Sequence, residues 1–130
     1  PPAPERIAQT PYQVFHRFGI ERRRADLLRR LALVARRLEE TVSLSLETAY
    51  RRFRAISGVG PWTAARTALI ALGDPDAVAL GDLHIPHLVS LRLAGEPRGS
   101  DERMLELLEP FRGHRGRVIR LLMAGGVPRR

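Results

Sequence analysis

The chain has 130 residues, 44% of them hydrophobic, and sets 22 basic against 14 acidic residues for a formal charge of +8 and a pI near 11.5. That length buries roughly two thirds of the surface an unfolded chain exposes, enough for a single domain that folds without staples, and with no cysteine there is no disulfide, no Cys-ligated zinc and no Cys-bound iron–sulfur cluster. No apolar run approaches the roughly 20 residues that cross a bilayer, and every basic residue is arginine, which grips phosphate bidentately, so the balance points to a polyanionic partner in the cytoplasm and away from membranes.

Residues 1–11 are proline-rich and read as extended, followed by a short helical turn from Tyr12 to Phe18 that Gly19 ends. The start, Pro1-Pro2-Ala3-Pro4, has neither a signal-peptide pattern nor an initiator methionine, and a piece of something longer is expected. Over residues 21–40 the apolar side chains Ala25, Leu28, Leu31, Ala32, Ala35 and Leu38 recur at helical spacing. Most arginines there lie off the stripe, which gives an amphipathic helix with a basic outer face. Ser45 with Glu47 reads as an N-cap and a first-turn acid, opening a helix over about residues 46–56. Pro61 suits the first turn of the next helix, over about residues 62–72, which Gly73 and Asp74-Pro75 terminate. Residues 76–81 form a connector; Asp82 caps a helix running to Ala94, with Gly95 as its stop and Pro86 tolerated near its first turn. Ser100 with Asp101 and Glu102 opens another helix to about Leu108, and the last runs over about residues 114–124 before Gly125-Gly126. No strand pattern of useful length occurs. The expectation is all-α, one helical domain over residues 1–130.

The segment Gly58-Val59-Gly60 between two of these helices is the most informative. Two glycines framing one apolar residue let the backbone turn tightly and bring N–H groups where no Cβ keeps a phosphate away. Helix, short hairpin and helix, over about residues 46–72, make a helix-hairpin-helix unit, which holds a DNA strand through main-chain N–H groups, often with a monovalent cation on hairpin carbonyls. Gly58, Val59, Gly60 and Thr63 are the candidate DNA contacts, with Arg112 further along. A carboxylate, Asp82, follows Trp62 by twenty residues. By itself it is an ordinary N-cap.

These residues resemble the helix-hairpin-helix DNA glycosylases, and within them the AlkA-type 3-methyladenine-DNA glycosylases. Gly58 to Ala64 is similar to the family's G-[IV]-G-x-W-T-A pattern, residues 22–38 to a helix preceding the hairpin, and Pro110-Phe111-Arg112 to its P-[WFY]-R stretch before the last helix. The resemblance runs over nearly the whole chain and implies that Asp82 is the catalytic aspartate, stabilising an oxocarbenium-like sugar and guiding a water while an alkylated purine departs from double-stranded DNA. It implies that Trp62 lies beside the flipped base. Bifunctional members carry a lysine at that place. This chain has none, so an enzyme here is expected to be monofunctional and to need no cofactor.

Two positions depart from the pattern. Where the AlkA-type pocket has aromatic residues, the alignment puts Arg66 and Arg120, and a cationic wall repels a cationic base. His84 and His87 lie three apart on a helix, but with no third ligand they point to no metal. The family's opening helices, with a Gln-Gln or similar pair, have no counterpart in the sequence. A C-terminal portion is therefore expected, with an apolar patch on residues 21–40 and 83–94 through which it self-associates. Two other readings stand beside the enzyme acting at the nucleoid: a non-catalytic helix-hairpin-helix DNA-binding module, and an inactive glycosylase homologue.

Overall fold

In a computed structural model, residues 1–125 are described; Gly126, one half of the expected final stop, lies outside them. Among the described residues the chain is all-helical, without a strand. The described residues divide into two compact units that meet in the sequence between Val59 and Gly60.

The first unit holds α1 (Pro4–Gln9), α2 (Tyr12–Arg17), α3 (Arg22–Leu33), α4 (Ala35–Glu39) and α5 (Leu46–Arg54). The proline-rich start is helical from Pro4, against the expectation of an extended segment. Pro4 occupies the first turn, where its missing N–H has no partner to lose. The next proline, Pro11, then falls in the connection before α2. The helix packs on α3, where the Arg29 Nε–H donates to the Ala8 carbonyl at 3.3 Å.

The single helix expected over residues 21–40 is broken at Val34, at φ −111° and ψ 15°, and continues as α4 and a 3-10 turn over Glu40–Ser43. The Val34 N–H reaches back to Leu31, three residues away, tightening the end of α3. β-branching at this position favours the break over a continuous helix. Ser45 caps α5 as expected, its Oγ accepting from the Thr48 N–H at 3.3 Å, and Ala49 and Phe53 turn inward. After α5 the chain enters the hairpin at Gly58, whose φ of +99° is a conformation that a side chain resists.

The second unit holds α6 (Pro61–Thr67), α7 (Ile85–Ala94), α8 (Asp101–Leu108) and α9 (Arg115–Ala124). From Ala68 to Leu72, α6 widens into a π-helical turn that Gly73 closes in the left-handed conformation. The π turn was not expected; the stop was. α7 packs on α8 and α9, and Val89, Met104, Leu108 and Ile119 are buried. α9 carries Gly116, where a Cβ would lie 2.7 Å from the Ala77 carbonyl oxygen. Only glycine allows the connector to pass that close.

Candidate functional site

Asp82 lies in the loop between the π turn and α7, three residues before the helix begins at Ile85. Its Oδ1 accepts the N–H groups of His84 at 2.8 Å and Ile85 at 3.0 Å, meeting two main-chain donors at the start of α7. The helix expected directly after Asp82 begins only at Ile85, with His84 in the N-cap position, so Asp82 bonds these N–H groups from two residues before the cap. The other oxygen, Oδ2, accepts the Trp62 indole N–H at 2.7 Å, twenty residues upstream. Burial pushes the Asp82 carboxyl up, but the indole donor, the two main-chain donors and the nearby His84 outweigh it, and the group lies below its ordinary value. Such a carboxylate is ionised at neutral pH and a poor proton acceptor. It is suited to facing a positive charge.

The loop is fixed from the other side by a contact that the sequence did not announce. Gly81, at φ +81°, donates its N–H to Asp101 Oδ2 at 2.7 Å. Asp101 thus holds the residue before Asp82 while opening α8.

Trp62, the second residue of α6, is 42% exposed, so the lone tryptophan is not a core plug. One turn on, the Arg66 guanidinium lies 5.9 Å from the centre of the indole ring, within cation–π range. Trp62, Thr63, Arg66, Thr67, Ile70 and Ala71 line an open groove of about 340 Å³. Thr63 adds its carbonyl to the local bonding, accepting the Thr67 hydroxyl at 2.8 Å. Arg66 and Arg120 also flank one narrow cleft beside Ile85 and Ile119, of about 20 Å³, room for a single water and not for a base. The two candidate pocket arginines are brought together there, and neither forms an ion pair among the described residues.

Around the hairpin, the Val59 N–H donates to the Ile56 carbonyl at 2.9 Å, and Arg30 donates to the Ser57 carbonyl at 3.0 Å. A monovalent cation on these carbonyls would share Ser57 with a guanidinium, so the donor set fits one poorly and no step depends on it. Gly60 sits at φ −88°, and a Cβ there would meet nothing within 4 Å. Its backbone therefore gives no conformational reason for glycine. Arg112 is exposed and engaged by Glu109 through two bonds of 2.8 Å, so a phosphate would have to compete for it. His84 and His87 are exposed; His87 Nδ1 accepts the Gly99 N–H, and no cluster of three metal-ligating side chains exists among the described residues.

One half-buried ion pair escaped the sequence reading, which gave residues 76–81 only as a connector. Asp76 takes the N–H groups of Gly113 and Arg115 and two bonds from the Arg115 guanidinium, at 2.5 to 3.0 Å. It thereby shapes the turn that carries Arg112 and His114. The partners are 39 residues apart, and no local signal joins them.

No family model and no solved structure matches the chain at a significant level. Among curated proteins it is 26% identical over 110 residues to the Bacillus subtilis (strain 168) protein named "Putative DNA-3-methyladenine glycosylase YfjP", a match that covers 82% of this chain. The chain spans 38% of that relative's length. This similarity supports a relation to the DNA glycosylases and reaches no finer than that.

Proposed function

We propose that the chain is the hairpin-bearing part of a monofunctional DNA N-glycosylase that acts on damaged purines in double-stranded DNA, the 3-methyladenine type being the class its resemblance implies. The observation that carries this reading is the Trp62–Asp82 bond. It joins the two residues that the family motif singles out and leaves the carboxylate ionised, oriented and next to an open groove. When the bond between C1′ and the base breaks, positive charge develops on the sugar, and a fixed carboxylate stabilises it. Asp82 does this as a charge. Its lowered proton affinity suits that part better than drawing a proton early from water.

The hairpin supplies the grip on DNA. Gly60 is unexplained by its backbone angles and open on its Cβ side, as expected where a phosphate oxygen approaches a main-chain N–H. Thr63 and Arg112 extend that contact, and the +8 charge favours it at long range. No helix among the described residues is long and apolar enough to cross a membrane. The cytoplasm, at the nucleoid, is the corresponding location.

Asp82→Asn tests the proposal in single-turnover base release from alkylated duplex. Release should fall about a hundredfold, the loss typical for one electrostatic stabiliser, with DNA affinity within a few fold. Asparagine can keep the two main-chain bonds, but its amide cannot satisfy the Trp62 N–H if it turns its nitrogen there, so a melting curve accompanies the assay. Unchanged release by a folded variant overturns the catalytic assignment of Asp82, and no release by the unmodified chain leaves the non-catalytic DNA-binding module as the reading.

A further inference from the structure

The groove beside Trp62 is divided electrically. On the edge of the indole sits the Asp82 carboxylate; towards its face lies the Arg66 guanidinium, 5.9 Å from the ring centre. Trp62, Arg66 and Ile70 follow one another at intervals of four along this helical stripe, so the cation stands between an exposed indole and an isoleucine that is 75% exposed. No carboxylate neutralises Arg66 among the described residues. The Thr67 hydroxyl, which also lines the groove, is spent on the Thr63 carbonyl. The guanidinium is thus the one cationic donor among the residues that line the groove.

From this we infer that Arg66 makes the site selective for neutral modified purines over cationic ones, by stabilising the departing base as an anion. The inference rests on the N-glycosylase reading above, with the groove as the place that receives the base, and it replaces the 3-methyladenine class, cationic in its nucleotide, with neutral purines as the preferred substrate. In the step it describes, the C1′–N bond breaks and its electron pair leaves with the base. A neutral purine departs as an anion and develops negative charge on its ring nitrogens and any exocyclic oxygen, which the planar guanidinium meets with paired N–H donors. The sugar cation forms on the other side, against Asp82. Water adds to C1′, and its proton is passed through solvent to the base anion. A base alkylated at N3 or N7 departs instead as a neutral molecule. It gains nothing from the guanidinium as it leaves, and before leaving it is a cation placed against a cation. Like charges about 6 Å apart lower affinity by a factor of between about three and about a hundred, depending on how far the groove excludes water. Arg120, across the narrow cleft from Arg66, adds to the same field.

Two measurements on the chain and its Arg66→Gln variant test this. The first is single-turnover release of hypoxanthine, neutral in its nucleotide, and of 7-methylguanine, cationic in its nucleotide, from otherwise identical duplexes. Arg66→Gln should lower hypoxanthine release about tenfold or more and leave 7-methylguanine release unchanged or faster; an equal effect on both overturns the inference. The second needs no activity, because 2′-fluoro sugars hold the base in place. Trp62 is the lone tryptophan, so its fluorescence reports binding of duplexes with 2′-fluorodeoxyinosine or its 7-methylguanine counterpart. The chain should bind the neutral duplex about fivefold more tightly. Arg66→Gln should abolish the difference and Arg66→Lys, which keeps the charge, should preserve it. Equal binding by the unmodified chain, or a preference that survives Arg66→Gln, overturns the inference. If neither base is released by the chain, the glycosylase reading fails, and the binding ratio alone decides on the selectivity of the groove.

Discussion

Replacing Asp76 with asparagine removes one charge from the ion pair that shapes the turn before α9, and the size of the effect follows from the geometry. The Arg115 guanidinium bond is the largest influence on this carboxyl; burial works against it, while the Arg115 N–H, the Arg115 charge and the Gly113 N–H add to it, bringing the group from 3.8 down to about 2. At about 1.4 kcal/mol per unit, that corresponds to on the order of 2 kcal/mol of stability. The side chains of Arg115 and Asp76 are only 19% and 25% exposed, so solvent screening removes a minor part. A carboxyl more acidic in the folded than in the unfolded chain stabilises fully above its unfolded value, and that contribution is lost as the pH falls through about 2. Urea unfolding of the chain and of Asp76→Asn at about pH 6 and about pH 2.5 measures it. The variant should be less stable by about 2 kcal/mol at the higher pH, a melting shift on the order of 5–10 °C in a chain of this size. At the lower pH the gap should shrink to less than half. An equal gap at both would refute the ion-pair account and leave a packing defect as the cause.

Trp62→Phe removes the indole donor while keeping an aromatic ring, so the Asp82 carboxyl should rise towards its ordinary value and the acid limb of base release should move to higher pH; release near neutral pH should drop several-fold, the worth of roughly one charge-assisted bond at a half-exposed site, and a pH profile identical to that of the unmodified chain would contradict this. Gly58→Ala and Gly60→Ala separate fold from function in the hairpin. The first strains a backbone at φ +99° and crowds Leu27 at 3.2 Å, so it should lower stability by about 1–2 kcal/mol. The second should leave melting nearly unchanged and weaken duplex binding several-fold; a duplex titration with no loss would remove Gly60 from the DNA interface.

What the sequence revealed depended on how far apart the interacting residues lie. Ser45 and Ser100 announced their helices because a cap bonds to a main-chain N–H three residues on, inside the window that a pattern covers. Gly73 and Gly95 announced stops because the left-handed conformation favours glycine at the residue itself. Pro4 misled because proline reads as extended in isolation but fits a first helical turn when the following residues are free to continue it. Val34 and the π turn carried no glycine or proline to mark them. The Asp76–Arg115 pair and the Gly81–Asp101 bond join residues 39 and 20 apart, and charge alone does not choose among so many partners. Trp62 and Asp82 stood out through the family motif, which supplied the spacing. That an indole N–H joins them is a fact of three dimensions.

The π turn at Ala68–Leu72 bears on that spacing itself. Each ring of a π turn encloses one more residue than an α turn, and here the Ala68 carbonyl takes the N–H of Gly73, five residues on, and of Asp74. Of the twenty positions that separate Trp62 from Asp82, one is absorbed in widening the helix. A chain with a regular α turn at this point would count nineteen and still present the same indole to the same carboxylate. Residue number is therefore an elastic measure between these two groups, and the slack lies downstream of Arg66, where taking it up leaves the Trp62–Arg66 turn in place.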